Sequence, residues 1–187
     1  MYIQRTIEKS IERANKFFPV VLVTGPRQVG KTTVLQNCET QPRTYVSLDT
    51  LENRELAKND PTLFLQRYPA PVLIDEIQYA PELFPYIKAS VDKEKKNGMY
   101  WLTGSQQFHL MKNVSESLAG RVGILQLEGL SQDEKNGHPD VPPFLPTEEY
   151  IKTKVHSAAE TDLLKIYELI WKGSYPKLYP ADSDYWA

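Results

Sequence analysis

A chain of 187 residues that is 41% hydrophobic has material for one domain with a sizeable core, or for a domain with an appendage. Its formal charge of −2 and pI near 6.0 exclude a general electrostatic pull toward nucleic acid or anionic membrane. The single Cys38 excludes an internal disulfide, no apolar run approaches the ~20 residues of a membrane span, and Glu8 and Glu12 do not suit a signal peptide, so a cytoplasmic protein is expected.

In chain order, residues 2 to 16 predict an amphipathic helix, with Ile3, Ile7, Ile11 and Ala14 on one face. Phe17-Phe18-Pro19 ends it, and Val20 to Val23 forms a first strand that stops at Gly25. A helix is expected from Lys31 to Cys38, a second strand from Thr44 to Leu48, and a helix over Leu51 to Lys58. Asp60-Pro61 has the form of an N-cap with a first-turn proline. Pro71 to Glu76 is a continuous apolar run ending in two carboxylates, suited to a strand buried on both faces. Pro81 starts a helix running to about Lys96, where Asp92 and Lys96 stand at ion-pairing spacing on a solvated last turn. A fourth strand (Met99 to Thr103), a polar helix (Gln106 to Leu118) and a fifth strand (Val122 to Leu127) follow. Strands alternating with helices predict a parallel sheet covered on both faces.

Composition then shifts. Pro139, Pro142, Pro143 and Pro146 mark residues 132–147 as a linker between a domain over 1–131 and a helical segment over 148–187. Within that segment Thr161 to Trp171 is apolar nearly all round and is expected to be buried.

The chemistry concentrates in two places. Gly25-Pro26-Arg27-Gln28-Val29-Gly30-Lys31-Thr32-Thr33, after a strand and opening a helix, has the spacing of a phosphate loop. Gly25 and Gly30 let backbone N–H groups approach phosphate oxygens that a Cβ would exclude. Lys31 is placed for the β- and γ-phosphates, and the Thr32 hydroxyl for Mg²⁺. Arg27 either contacts nucleotide or crosses the mouth of the loop. Downstream, Asp75 suits the carboxylate that holds Mg²⁺, and Glu76 the group that orients attacking water.

At the tip of the next strand, Ser105 is the first choice for sensing the γ-phosphate, with Gln106 and Thr103 behind it; strand-end capping is the competing account. Arg121, just before the fifth strand, fits either an arginine finger reaching a neighbour's γ-phosphate or a structural salt bridge. His109, His138 and His156 are scattered and Cys38 has no partner, so a metal site of protein ligands alone is not expected. No Asn-Lys-x-Asp guanine signature occurs, which favours ATP over GTP.

Taken together, the chain resembles a group of bacterial and archaeal AAA-type ATPases. The shared motifs are Gly-Pro-Arg-Gln-x-Gly-Lys-Thr (Gly25 to Thr32), Leu-Ile-Asp-Glu-Ile-Gln (Leu73 to Gln78), Leu-Thr-Gly-Ser (Leu102 to Ser105) and Leu-x-Gly-Arg (Leu118 to Arg121). A looser match continues to Gly173-Ser-Tyr-Pro176, where a serine replaces the second glycine of the group's pattern. The resemblance implies a three-layer α/β/α P-loop fold with a five-stranded parallel sheet in the order 5-1-4-3-2, and a partial helical segment after it. It implies Mg²⁺ and ATP as ligands, with hydrolysis or an ATP-gated switch of a partner surface as the activity, and Glu76 as the catalytic carboxylate. It further implies assembly with copies of itself, or a C-terminal domain of unknown function that makes this chain the N-terminal part of a longer or split protein.

Overall fold

The computed structural model describes residues 2–105, 108–140, 145–157 and 162–179. Cα packing divides the chain into two compact units, Ile7–Gly129 and a second formed by Met1–Thr6 with Leu130–Ala187.

The larger unit is built on five parallel strands: β1 (Val20–Gly25), β2 (Thr44–Ser47), β3 (Val72–Asp75), β4 (Tyr100–Ser105) and β5 (Val122–Gln126). They lie side by side in the order β2-β3-β4-β1-β5, the 5-1-4-3-2 arrangement. The intervening helices are α1 (Glu8–Phe17), α2 (Lys31–Asn37), α3 (Leu51–Asn59), α4 (Pro61–Arg67), α5 (Leu83–Glu94) and α6 (Phe108–Ser117). Because side chains alternate across a strand, the apolar runs of β1, β3 and β4 serve two cores. Val20, Leu22, Ile74 and Leu102 cluster with Phe64, Leu83, Phe84 and Ile87. Val21, Val23, Leu73 and Trp101 are buried on the other face, where α1 and α2 lie against β1. Asp60 caps α4 by accepting from the Leu63 N–H at 2.9 Å, with Pro61 at the first helical position.

One polar tie binds α1 to the sheet. The Asn15 carbonyl oxygen accepts from the Trp101 indole N–H at 2.8 Å and from Arg43 Nη2 at 3.0 Å. The Arg43 guanidinium lies over the Trp101 ring, 3.9 Å from its centroid, and burial pulls the Arg43 pKa down to about 10. Cys38, buried at the carboxyl end of α2, has its thiol pushed up to about 12 by burial, with Glu8 and Glu12 adding to the effect.

Several boundaries differ from the sequence reading. The first helix starts at Glu8 rather than residue 2, because the Thr6 N–H and the Arg5 guanidinium are taken by Glu134, at 2.7 and 3.2 Å. A 3-10 turn, Ile77–Tyr79, precedes α5. The helix α5 ends at Lys95, whose left-handed backbone (φ 52°) breaks it, and Lys96 pairs with Glu94 rather than with Asp92.

The smaller unit contains α7 (Gln132–Lys135), α8 (Glu148–Ser157), α9 (Leu163–Lys172) and a 3-10 turn, Pro176–Leu178. α7 falls where only linker was expected. Its signal was the Ser131-x-x-Glu134 capping box, in which each side chain bonds the other residue's backbone N–H. α9, expected to be buried, has no buried residue, and Leu164 and Trp171 are 81% and 76% exposed. Among the described residues the other helices of this unit are short and do not enclose α9.

Replacing Asn15 by Ala would strand the Trp101 indole N–H in the core. Asn15→Ala should cost about 1–3 kcal/mol, read as a lower urea midpoint by tryptophan fluorescence.

Candidate nucleotide site

In a parallel sheet every carboxyl end points the same way, so Gly25, Ser47, Asp75 and Ser105 share one edge. Ligands of open α/β sheets bind outside this edge. The loop from Pro26 to Gly30 leaves it and turns into α2.

The loop's conformation follows from a few residues. Gly25 (φ 148°) lies so close to the chain after β5 that an added Cβ would stand 2.0 Å from the Leu127 carbonyl oxygen, so only glycine fits. Gly30 (φ 90°) is also left-handed, and a Cβ there would meet nothing within 4 Å. Gln28 (φ 64°) has the same backbone sense without being glycine, an uncommon state that tends to occur at functional loops. Runs of such residues turn successive N–H groups into one concavity, a nest for anions. Pro26, Arg27 and Gln28 are exposed, Val29 is buried beneath them, and Thr33 faces solvent on α2.

Lys31, only 6% exposed, folds its ammonium back over the loop and donates to the carbonyls of Gly25 (3.2 Å) and Pro26 (2.9 Å). Burial lowers its pKa; Glu76 and Asp75 oppose the shift and Arg27 adds to it. The ammonium is desolvated and bonds no carboxylate among the described residues, which suits it to an incoming polyanion.

Asp75 is the centre of the carboxylate side. Its Oδ1 accepts from the Thr32 hydroxyl at 2.8 Å and from the Thr103 hydroxyl, and its Oδ2 from the Tyr45 hydroxyl at 3.2 Å. Thr103 in turn accepts from the Glu76 N–H at 3.1 Å. Glu76 has left-handed backbone (φ 58°, ψ 47°), and its carboxylate accepts from the Gln78 side-chain amide. The Gln78 carbonyl oxygen accepts from the Ser105 N–H at 3.3 Å. The Ser105 hydroxyl is buried with no hydrogen-bond partner among the described residues. Lys31, Thr32, Asp75, Glu76, Thr103 and Ser105 are thus brought to one edge. Gln106 lies outside the described residues.

Arg121 is elsewhere. It precedes β5 at the sheet's amino edge, where its carbonyl accepts from the Val20 N–H. About 17 Å of strand separates it from the loop end. Its guanidinium grips Asp92 in two bonds, at 2.5 and 3.0 Å. This pairing lowers the Asp92 pKa and raises that of Arg121. The salt-bridge account of Arg121 therefore describes this chain on its own.

Two further residues belong to the site, Tyr45 and Gln78, to which the sequence alone assigns no role. Strand alternation signals Tyr45, since it stands beside Leu73 in register, two positions before Ser47 at the functional edge. Gln78 is signalled as the last residue of the Leu-Ile-Asp-Glu-Ile-Gln motif, but that motif attaches no role to it.

The donor set has the chemistry that Mg²⁺ and a triphosphate require. Thr32 and Asp75 offer hard oxygens, the chemistry Mg²⁺ prefers. The loop offers N–H groups, the buried Lys31 a cation, and Ser105 an unused hydroxyl. These fit. Among the described residues no group of three or more His, Cys, Asp or Glu could hold a metal by itself. No helix among those residues is long and apolar enough to cross a membrane.

The fold and edge geometry are those of an AAA-type P-loop ATPase. The family profile described as an AAA domain matches residues 17–136, and the chain belongs to that family. Uncharacterized proteins of Mycobacterium bovis and Mycobacterium tuberculosis are each 37% identical to it over 130 residues, 68% of this chain and 29% of theirs. The matched stretch is therefore under a third of the length of those relatives. A crystal structure of a DNA replication initiation factor shares the fold, with a TM-score of 0.50 and 14% identity over 91% of this chain and 55% of that one.

Burial raises the Tyr45 pKa first, and the negative charge of Asp75 raises it further. Asp75→Asn removes that charge and the carboxylate as hydrogen-bond acceptor, and leaves the burial. The Tyr45 phenol, followed by ¹³C NMR, should then titrate lower than in wild type yet still above an ordinary tyrosine.

Proposed function

We propose that this chain binds ATP with Mg²⁺ and hydrolyses it. The observation that carries the reading is the bond between the Thr32 hydroxyl and Asp75, residues 43 positions apart, at the foot of a loop holding a buried lysine. Thr32 and Asp75 would hold Mg²⁺, which neutralises charge on the phosphate oxygens. The loop amides and Lys31 bind the β- and γ-phosphates, and Glu76 orients and polarises the attacking water. Ser105 offers its free hydroxyl to the γ-phosphate. Phosphoryl transfer needs little covalent help from a protein, so such positioning and charge complementarity account for most of the catalysis. The single Cys38 suits a cytoplasmic setting.

In this reading Arg121 acts on a neighbour's nucleotide once copies assemble, leaving Asp92 to do so. An exposed ion pair is screened by water and is weakly held, so the exchange is energetically open. The work that hydrolysis drives is assigned to chain beyond the stretch shared with the longer relatives.

A second reading, an ATP-gated binding module with little turnover, is favoured by α9. Leu163, Leu164, Tyr167, Ile170 and Trp171 all face solvent on this short helix, a patch suited to a protein partner. Multiple-turnover phosphate release separates the readings: sustained release supports the enzyme, a single slow turnover with retained ADP the switch.

Lys31→Ala should weaken ATP binding at least about tenfold, measured by fluorescent-nucleotide titration. Glu76→Gln should keep binding and lose about 10²- to 10⁴-fold in turnover. Wild-type affinity in the first, or wild-type turnover in the second, rejects the site assignment.

If Arg121 acts between copies, light scattering should record a larger mass with ATP than without. Wild-type specific activity should then rise with protein concentration and that of Arg121→Ala should stay flat.

A further inference from the structure

Glu76 is fixed at both ends, and both ties lead to the tip of β4. Its backbone N–H donates to the Thr103 hydroxyl, and its carboxylate is held by Gln78, whose carbonyl oxygen accepts from the Ser105 N–H. The orientation of the Gln78 amide is forced. A backbone N–H only donates, so the amide oxygen must face Ser105; the NH₂ group then faces the carboxylate, which only accepts. Exchanging the two would spoil both bonds.

The left-handed backbone of Glu76 adds to this. A non-glycine residue occupies that state only where its surroundings hold it, and the Thr103 bond does the holding. The peptide is fixed, so the direction of the carboxylate is set by its side-chain torsions and by Gln78.

The third observation is the Ser105 hydroxyl, buried and without a partner among the described residues. Its own N–H makes the Gln78 bond at 3.3 Å, beyond the usual range for N–H···O. A small movement of the strand tip would change that bond before the shorter ones around Asp75.

We propose that Gln78 is a positioning residue that makes the aim of Glu76 depend on what the Ser105 hydroxyl binds. The inference rests on the ATPase reading above. A γ-phosphate oxygen on Ser105 draws the tip of β4, the Ser105 N–H shifts against Gln78, and the amide carries the Glu76 carboxylate with it. ADP offers no such oxygen and leaves the amide where it is.

The test uses the full chain. Gln78→Ala, and the isosteric Gln78→Glu, should each lower kcat about 10- to 100-fold, the scale on which misplacement acts, with KM for ATP within about threefold of wild type. A role in shape alone would be rescued by Gln78→Glu, which has the same size but offers no NH₂; wild-type kcat in that variant overturns the proposal. The double variant Gln78→Ala/Ser105→Ala should be no slower than the slower single one, and multiplied losses overturn the coupling. Side-chain amide NMR gives a readout independent of turnover. The Gln78 NH₂ resonances should differ between Mg²⁺–ADP and a non-hydrolysable Mg²⁺–ATP analogue, and should coincide in Ser105→Ala. Coincidence in the wild type overturns the proposal even where turnover is too slow to measure. Failure of the ATPase reading is distinguishable: it appears as wild-type nucleotide affinity in Lys31→Ala and takes this inference with it.

Discussion

The site depends on one carboxylate. Burying Asp75 without partners would carry a large desolvation penalty, and three hydroxyls from three different elements remove it: Thr32 from α2, Thr103 from β4 and Tyr45 from β2. Those bonds form only if β4 lies beside β3 and β2 lies on its other side, as in the observed sheet. The carboxylate that suits a cation thus also joins the loop helix, the neighbouring strand and the edge strand. Hydroxyls serve well here, because they can rotate and give up their protons' direction when a stronger charge arrives, which a lysine or arginine partner would resist.

Around this centre the chain retains features that a purely structural domain would have little reason to keep. Lys31 is desolvated against two carbonyls, Glu76 and Gln28 hold left-handed backbone, and the buried Ser105 hydroxyl has no partner among the described residues. Each is mildly unfavourable in isolation, of order 1 kcal/mol or somewhat more. All lie along the same carboxyl edge, whereas at the amino edge the charged and polar side chains are mostly engaged within the fold, the buried Arg43 Nε and Nη1 being exceptions. There, Arg121 has Asp92, and Asn15 serves Trp101 and Arg43.

Much of this was legible in the residues because the informative features are local. A β-branched run followed by Gly25 and Gly30 carries the strand, the turn and the helix start within seventeen residues of sequence, and the alternation of strands and helices carries the parallel sheet. Asp75 at the end of an apolar run shows the second half of the site. What could not be read depends on pairings distant in sequence. Asp92 has Lys96 at helical spacing, yet Arg121 wins it, because a guanidinium gives two bonds where an ammonium gives one. Glu134 reaches back to Thr6 and Arg5 and so delays the first helix. Tyr45 and Gln78 enter the site through register and a 3-10 turn that no composition rule marks. The apolar sequence of α9 gave its helical form, whereas its exposure depends on what else packs nearby.

Finally, the close approach of Gly25 to the Leu127 carbonyl makes the end of β5 the floor of the phosphate loop, and the Leu127 N–H fastens that floor to Thr24 at 2.8 Å. The same strand begins beside Arg121. One uninterrupted strand therefore runs from the arginine at the amino edge to the floor of the loop at the carboxyl edge, and the two ends of the sheet share a single element.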